Sequence, residues 1–241
     1  MELLTGHSLG DELKRQKRLT LNRMKAILQP VCSALAEAHS VGIIHRDIKP
    51  DNIFLHQTRE GEIVKVVDFG LAKFKEEEAG VRMNTGLTAA GIIIGTPTYM
   101  SPERLEGSPY DGRSDVYSVG IMMYEMVCGC LPFQPSSRGV LDVILRQIKE
   151  MPSPPREINP DLPESVERII LRALEKNPLV RPSITELEQA FLAALEGLPE
   201  AILNAGPVHV VQPWNIGLDV TIEDSLSNMT TDIVPPSKET L

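Results

Sequence analysis

A carboxylate, an ammonium and an amide fall within six positions of one another at Asp47, Lys49 and Asn52, inside the run His45-Arg46-Asp47-Ile48-Lys49-Pro50-Asp51-Asn52. A second stretch, Asp68-Phe69-Gly70, begins sixteen residues beyond Asn52. A carboxylate can take a proton from an attacking hydroxyl, and an ammonium can offset charge on a moving phosphoryl group. Amide and carboxylate oxygens are the hard donors that magnesium prefers. Together the two stretches hold all three of these groups. A lone aspartate is usually a cap or a surface residue; four such groups at this spacing call for a different reading.

The elements that must position these groups are mostly helical. A short helix is expected from Leu9 to Arg18, and a longer one, capped by Thr20, runs to about Ser40. In the longer helix Met24, Ile27, Leu28, Val31, Leu35 and Ala38 recur at three- and four-residue steps, which buries one face. Pro30 is a candidate kink point, and Gly42 ends the helix. Ile53-Phe54-Leu55 and Ile63-Val64-Lys65-Val66-Val67 flank the polar stretch His56 to Glu62. They read as a β-hairpin with the chemistry-bearing residues at its ends. From Asp115 to Val127 the chain is apolar nearly all round, as a helix in the middle of a core must be. Amphipathic helices follow at about 138–150, 163–174 and 183–195. The expected class is α+β, mostly α: a helical bundle with a short hairpin.

Two segments read differently. Residues 71–95 hold Glu76-Glu77-Glu78, several glycines, Thr85 and Thr88, and are expected to form a long functional loop. From about Gly197 the prolines, serines and threonines multiply without periodicity, so 197–241 is expected to be a flexible tail. Val208-His209-Val210-Val211 could be a strand there, with no obvious partner.

The formal charge of -9 argues against a nucleic-acid partner, which calls for a basic face. Cys32, Cys128 and Cys130 are odd in number and lack metal-type spacing; they suit a reducing compartment. No apolar run approaches a membrane span, and Met1 to His7 has no signal-peptide pattern. A cytoplasmic protein is expected.

The run from His45 to Asn52, followed by Asp68-Phe69-Gly70, resembles the catalytic and metal-binding loops of the eukaryotic-type protein kinases. Lysine two residues after the aspartate resembles the serine/threonine branch, in its bacterial form. The resemblance implies ATP and Mg2+ as cofactors and protein serine or threonine hydroxyls as substrates. It implies that Asp47 orients the hydroxyl and accepts its proton, that Lys49 sits on the transferred phosphoryl group, and that Asn52 and Asp68 bind magnesium. His45 and Phe69 are read as packing residues. Arg46 would pair with a phosphorylated residue of the loop from Asp68 to Glu103, with Thr85 or Thr88 as the acceptor, by autophosphorylation among other routes.

Gly95-Thr96-Pro97-Thr98-Tyr99-Met100-Ser101-Pro102-Glu103 resembles the segment that ends this loop and docks the substrate peptide, with Ser101 where the family usually has alanine. By the same resemblance Thr96 would bond Asp47 and Lys49, and Glu103 would pair with Arg181. Asp115 would brace the catalytic loop; its alternative is a plain negative charge at a helix N-terminus. Met1 to Leu9 looks like the hinge where adenine docks, with the backbones of Glu2 and Leu4 on its edge and Phe54 beneath it.

No G-x-G-x-x-G precedes His45, and no strand lysine with a helix glutamate partner; Lys14, Lys17 and Arg18 follow the hinge. The expectation is therefore a partial kinase domain at 1–196, hinge plus C-terminal lobe, with the N-terminal lobe missing. The leading function is a serine/threonine protein kinase with little activity in this form. The alternatives are a non-catalytic lobe that docks proteins and a small-molecule phosphotransferase of related fold.

Overall fold

The computed structural model describes residues 3–69, 97–134 and 139–206. Met1, Glu2, Gly70, Thr85, Thr88, Thr96 and the stretch from 207 to 241 lie outside them. The described residues all belong to one compact unit that extends to Val208. Its elements are β1 (Gly6–Ser8), α1 (Leu9–Gln16), α2 (Leu21–Ser40), β2 (Ile53–Thr58) and β3 (Gly61–Val66). After these come α3 (Pro102–Leu105), α4 (Arg113–Cys128), α5 (Val140–Lys149), α6 (Pro155–Ile158), α7 (Glu164–Ala173), α8 (Ile184–Leu195) and α9 (Glu200–Leu203). The mostly helical α+β expectation fits this architecture.

Side-chain caps start α1, α2 and α8. The Ser8 hydroxyl accepts from the Asp11 amide, and the Asp11 carboxylate accepts from the Ser8 amide. Thr20 accepts from Arg23 N at the start of α2, and Ser183 with Glu186 repeats the reciprocal box at α8. Helix α2 continues through Pro30, which is exposed. The carbonyl that loses its intrahelical donor there lies on the solvent side, where water can replace it.

The core is organised around α4, buried along nearly its whole length. A Cβ on Gly120 would stand 2.9 Å from Ala173 Cβ, so glycine lets α4 and α7 pack closely. Gly129, at φ 73°, ends α4 in the left-handed region and returns its amide to Glu125 O at 2.8 Å. The remaining C-terminal carbonyls of α4 are met from outside the helix. Leu19 N reaches Met126 O at 2.8 Å, Asn159 Nδ2 reaches Val127 O at 3.1 Å, and Arg18 Nε reaches Cys128 O at 3.1 Å.

The sheet is three-stranded and antiparallel in the order β1-β2-β3. Ile53 and Leu55 face the core, while Phe54 and His56 lie half-buried on the other face. Pairing runs from Ile53↔Val66 to Thr58↔Gly61, so the turn is only Arg59-Glu60, shorter than the expected His56 to Glu62. Thr58 closes it: its hydroxyl donates to Gly61 O at 2.7 Å and accepts from Glu60 N at 3.2 Å. Strand β1, unexpected from sequence, pairs Gly6↔His56 through Ser8↔Phe54. Arg23 ties this sheet to the helices by reaching the buried Glu12 at 2.7 Å and Glu62 at 2.5 Å. The Arg23 guanidinium holds the Glu12 carboxyl below its usual range.

Residues 197–203 were expected to belong to the tail. They instead carry α9, and Leu198, Ile202 and Leu203 pack partly buried against the core.

Candidate active site

The loop from His45 to Asn52 hangs from one carboxylate. Asp115, buried in the first turn of α4, accepts His45 N on Oδ2 and Arg46 N on Oδ1, both at 2.9 Å. His39 Nε2 reaches the same Oδ2 at 2.8 Å. The brace that the family resemblance implied is therefore present, and so is the helix N-terminal charge.

His45 is fully buried and lies 2.9 Å from Val67 O through Nε2. A carbonyl only accepts, so Nε2 carries the proton, and Nδ1 is left to accept from Asp47 N at 3.3 Å. Burial lowers the His45 pKa and favours this neutral ring. The ring centroid is 4.6 Å from that of Phe69. His45 packs, as read from sequence, whereas Phe69 touches its ring but is 37% exposed.

Arg46 and Asp68 adopt positive φ, 73° and 63°. For residues with a Cβ such geometry costs on the order of 1–3 kcal/mol each and persists only where surrounding bonds dictate it. Arg104 donates a further bond to Arg46 O. The Arg46 and Arg104 guanidinium carbons lie 5.7 and 5.6 Å from the Tyr110 ring centroid.

Asp47, Lys49 and Asn52 converge. Asp47 Oδ2 accepts from Lys49 Nζ at 2.7 Å and from Asn52 Nδ2 at 3.0 Å. Asn52 Nδ2 also donates to Asp47 O at 2.7 Å. With Nδ2 spent on Asp47, the Asn52 amide keeps its carbonyl oxygen as an acceptor. Val67 N donates to Asn52 O at 3.0 Å, so Asp68 follows directly after the rung that closes the hairpin at Asn52. The hairpin thus delivers Asn52 and Asp68 to its open end, one amide oxygen and one exposed carboxylate. Two hard oxygen donors fit Mg2+, which keeps several waters and bridges phosphates. Among the described residues there is no cluster of three His, Cys, Asp or Glu that would form a closed all-protein metal cage.

The adenine-side residues are placed less tightly. Leu4 is half-buried two residues ahead of β1, and Phe54 is half-buried on β2. The register sets Phe54 opposite Ser8 and Lys65, not opposite Leu4. Glu2 and Thr96 lie outside the described residues.

Glu103 and Arg181 form a two-pronged pair, with both N···O distances 2.7 Å. The other Arg181 donors reach Glu175 O at 2.6 Å, Lys176 O at 2.9 Å and Arg113 O at 3.0 Å. All five guanidinium N–H groups are therefore used.

The segment between Thr96 and this pair is held by residues that no motif marked. Tyr99 OH donates to Glu125 at 2.5 Å, and Ser118 Oγ donates to Tyr99 O at 2.8 Å. Burial raises the Glu125 carboxyl, opposed by the Tyr99 bond and reinforced by Asp51. Only the fold brings Tyr99 to Glu125, so no local pattern could have announced the contact.

Lys176 sits beside Arg181 over the rings of Phe133 and Tyr117, 4.5 and 5.6 Å from their centroids. Burial and the neighbouring Arg181 lower its pKa to about 8, against the weaker pull of Glu150 and Glu175. Between pH 8 and the ordinary lysine range the unfolded chain binds a proton that the folded chain does not, so this group adds stability as pH rises. Urea midpoints of the wild type and Lys176→Met, compared from pH 7 to 9.5, should show the difference shifting toward the wild type with pH. A constant difference would contradict the assignment.

Residues 1–192 match the family model described as protein kinase domain. The chain belongs to the protein kinase family. It is 42% identical over 199 residues to serine/threonine-protein kinase pkn3 of Myxococcus xanthus, covering 81% of this chain and 36% of that protein. It is 40% identical over 179 residues to Pkn1 of the same organism, covering 73% and 25%. To serine/threonine-protein kinase PknA of Mycobacterium tuberculosis it is 39% identical over 181 residues, covering 75% and 38%. The chain thus spans between a quarter and two-fifths of the length of these relatives. Among the described residues, no helix is long and apolar enough to cross a membrane.

Proposed function

We propose that residues 1–196 act as the hinge and C-terminal lobe of a serine/threonine protein kinase that moves the terminal phosphoryl group of ATP to protein hydroxyls. The part of 197–241 that follows α9 is the proposed tail, and the proposed location is the cytoplasm. The observation that carries this reading is the convergence of Lys49 and Asn52 on a single oxygen of Asp47. Among the described residues Oδ1 has no such donor, and the Asp47 side chain is 41% exposed. That oxygen would accept the substrate hydroxyl proton. Lys49, 20% exposed, sits close enough to share its charge between Asp47 and a phosphoryl group. Asn52 and Asp68 would hold Mg2+, which when bound neutralises phosphate charge. Thr96 would add a hydroxyl bond to Asp47 and Lys49. Thr85 or Thr88 is the proposed phosphoacceptor, with Arg46 as the proposed partner of the added phosphate. The hinge backbone at Glu2 and Leu4, with Phe54, would take adenine.

A second reading is a lobe that docks proteins without catalysis. Phosphate transfer from Mg-ATP to dephosphorylated casein separates the readings. The kinase reading expects weak turnover by this chain, lowered about 10²–10⁴-fold by Asp47→Ala, the range for loss of a proton-accepting group. Transfer indistinguishable from that of Asp47→Ala would leave the docking module.

A further inference from the structure

Gln147 lies in α5, outside every motif, yet its side chain is completely buried. Its Nε2 donates to Thr98 O at 3.0 Å and to Met100 O at 2.5 Å. Two carbonyls can only accept, so the amide orientation is dictated by its partners. Its own Oε1 is buried without a hydrogen bond. A fold that leaves such an acceptor unsatisfied gives up stability, which points to the two donated bonds as the reason for this residue.

Those bonds complete a grip on three consecutive carbonyls. Gln147 takes Thr98 O and Met100 O, while Ser118 on α4 takes Tyr99 O at 2.8 Å. Gln147 is held in turn, because Lys176 Nζ donates to its main-chain oxygen at 2.7 Å. The Lys176 main-chain oxygen accepts from Arg181, whose guanidinium pairs with Glu103, two residues past Ser101. Contacts from Gln147 through Lys176 and Arg181 to Glu103 therefore close a loop around residues 98–103.

We infer that Gln147 is a positioning residue for the protein substrate: with Lys176 it sets the 98–100 backbone as a fixed rail against which the substrate peptide lies. The inference rests on the kinase reading above, in which this segment docks the peptide. Gln147 touches neither the reacting atoms nor the nucleotide; it acts through the carbonyls it holds.

Hydrogen exchange on the 241-residue chain and its affinity for dephosphorylated casein test this together. Gln147→Leu keeps bulk and removes both donors. It should speed exchange about tenfold in peptides covering 97–105, the scale for two lost hydrogen bonds, and leave α2 and the core of α4 unchanged. Casein affinity should weaken by a similar factor while Mg-ATP affinity stays constant. Gln147→His retains a ring N–H for one carbonyl and should recover most of both effects. Lys176→Met, which leaves the Gln147 amide in place, should loosen the same peptides to a smaller degree. Unchanged exchange at 97–105 in both Gln147→Leu and Lys176→Met, or a rise spread evenly over the whole fold, would overturn the positioning role. Loosening at 97–105 in Gln147→Leu, with casein bound by neither the wild type nor the variant, would instead overturn the kinase reading beneath it.

Discussion

Glu103→Ala is expected to cost about 3–5 kcal/mol of folding stability, the range for breaking a buried ion pair from one side. The Arg181 side chain is 0% exposed and Glu103 is 6% exposed. Arg181 cannot shed its proton, so removing Glu103 strands a permanent charge. Three main-chain carbonyls would remain on the guanidinium, from Arg113, Glu175 and Lys176, but they offer dipoles where a full negative charge stood. Urea unfolding of the two proteins at neutral pH measures the loss. Glu103→Gln keeps one acceptor and should fall between them. The double change Glu103→Leu with Arg181→Met removes both charges and should be less destabilising than Glu103→Ala alone. A loss below about 1 kcal/mol would place the pair among ordinary surface ion pairs, contrary to its burial.

Asp115→Ala should rank second in stability and first in its reach into the catalytic loop. It removes the acceptors of two successive main-chain amides, His45 N and Arg46 N, and the partner of His39. Each buried donor left without a partner costs about 1–3 kcal/mol, so a total near 2–4 kcal/mol is expected after water relieves part of it. A bare helix N-terminal charge would be worth only about 0.3–1 kcal/mol, so the measured size decides between brace and dipole. Arg46 is held at φ 73° partly by this carboxylate, and without it the residue can relax toward ordinary φ. That movement would shift Asp47, the next residue, away from Lys49 and Asn52. Amide exchange at His45 and Arg46 should therefore rise much more than exchange in α2, and phosphate transfer should fall further than the stability change alone explains. A uniform rise would point to simple destabilisation.

Much of the scaffold can be read locally. Thr20 and the apolar residues from Met24 to Leu35 follow rules that act within one or two turns, and α2 begins and ends near the expected places. The run from Val116 to Val127 is apolar on every side, and α4 is buried on every side. The hairpin was legible, but its turn was overestimated. His56, Gln57 and Glu62 are polar, yet they continue the ladder because Thr58 and Gly61 can make a tighter turn. Strand β1 was not legible: three residues beginning with glycine carry no period, and their partner stands 50 residues away at His56. Residues 197–203 have a tail-like composition, yet Ile202 and Leu203 find apolar surface on the folded unit.

The sequence by itself determined the ancestry and named the candidate reactive groups. Asp47, Lys49, Asn52 and Asp68 are recognisable because phosphoryl transfer demands those residue types and the loop fixes their spacing. Glu103, Arg181 and Asp115 could be named because the family resemblance carried their pairing. Only the tertiary structure decided how the groups are held: which oxygen of Asp47 is occupied, which nitrogen of His45 carries the proton, and that Gln147 and Ser118 divide three adjacent carbonyls between two helices. Apart from those on Asp47, which reach two and five positions, these contacts join residues 19 to 49 positions apart. A hydrogen bond across that separation depends on side-chain direction after packing, and no local periodicity encodes it.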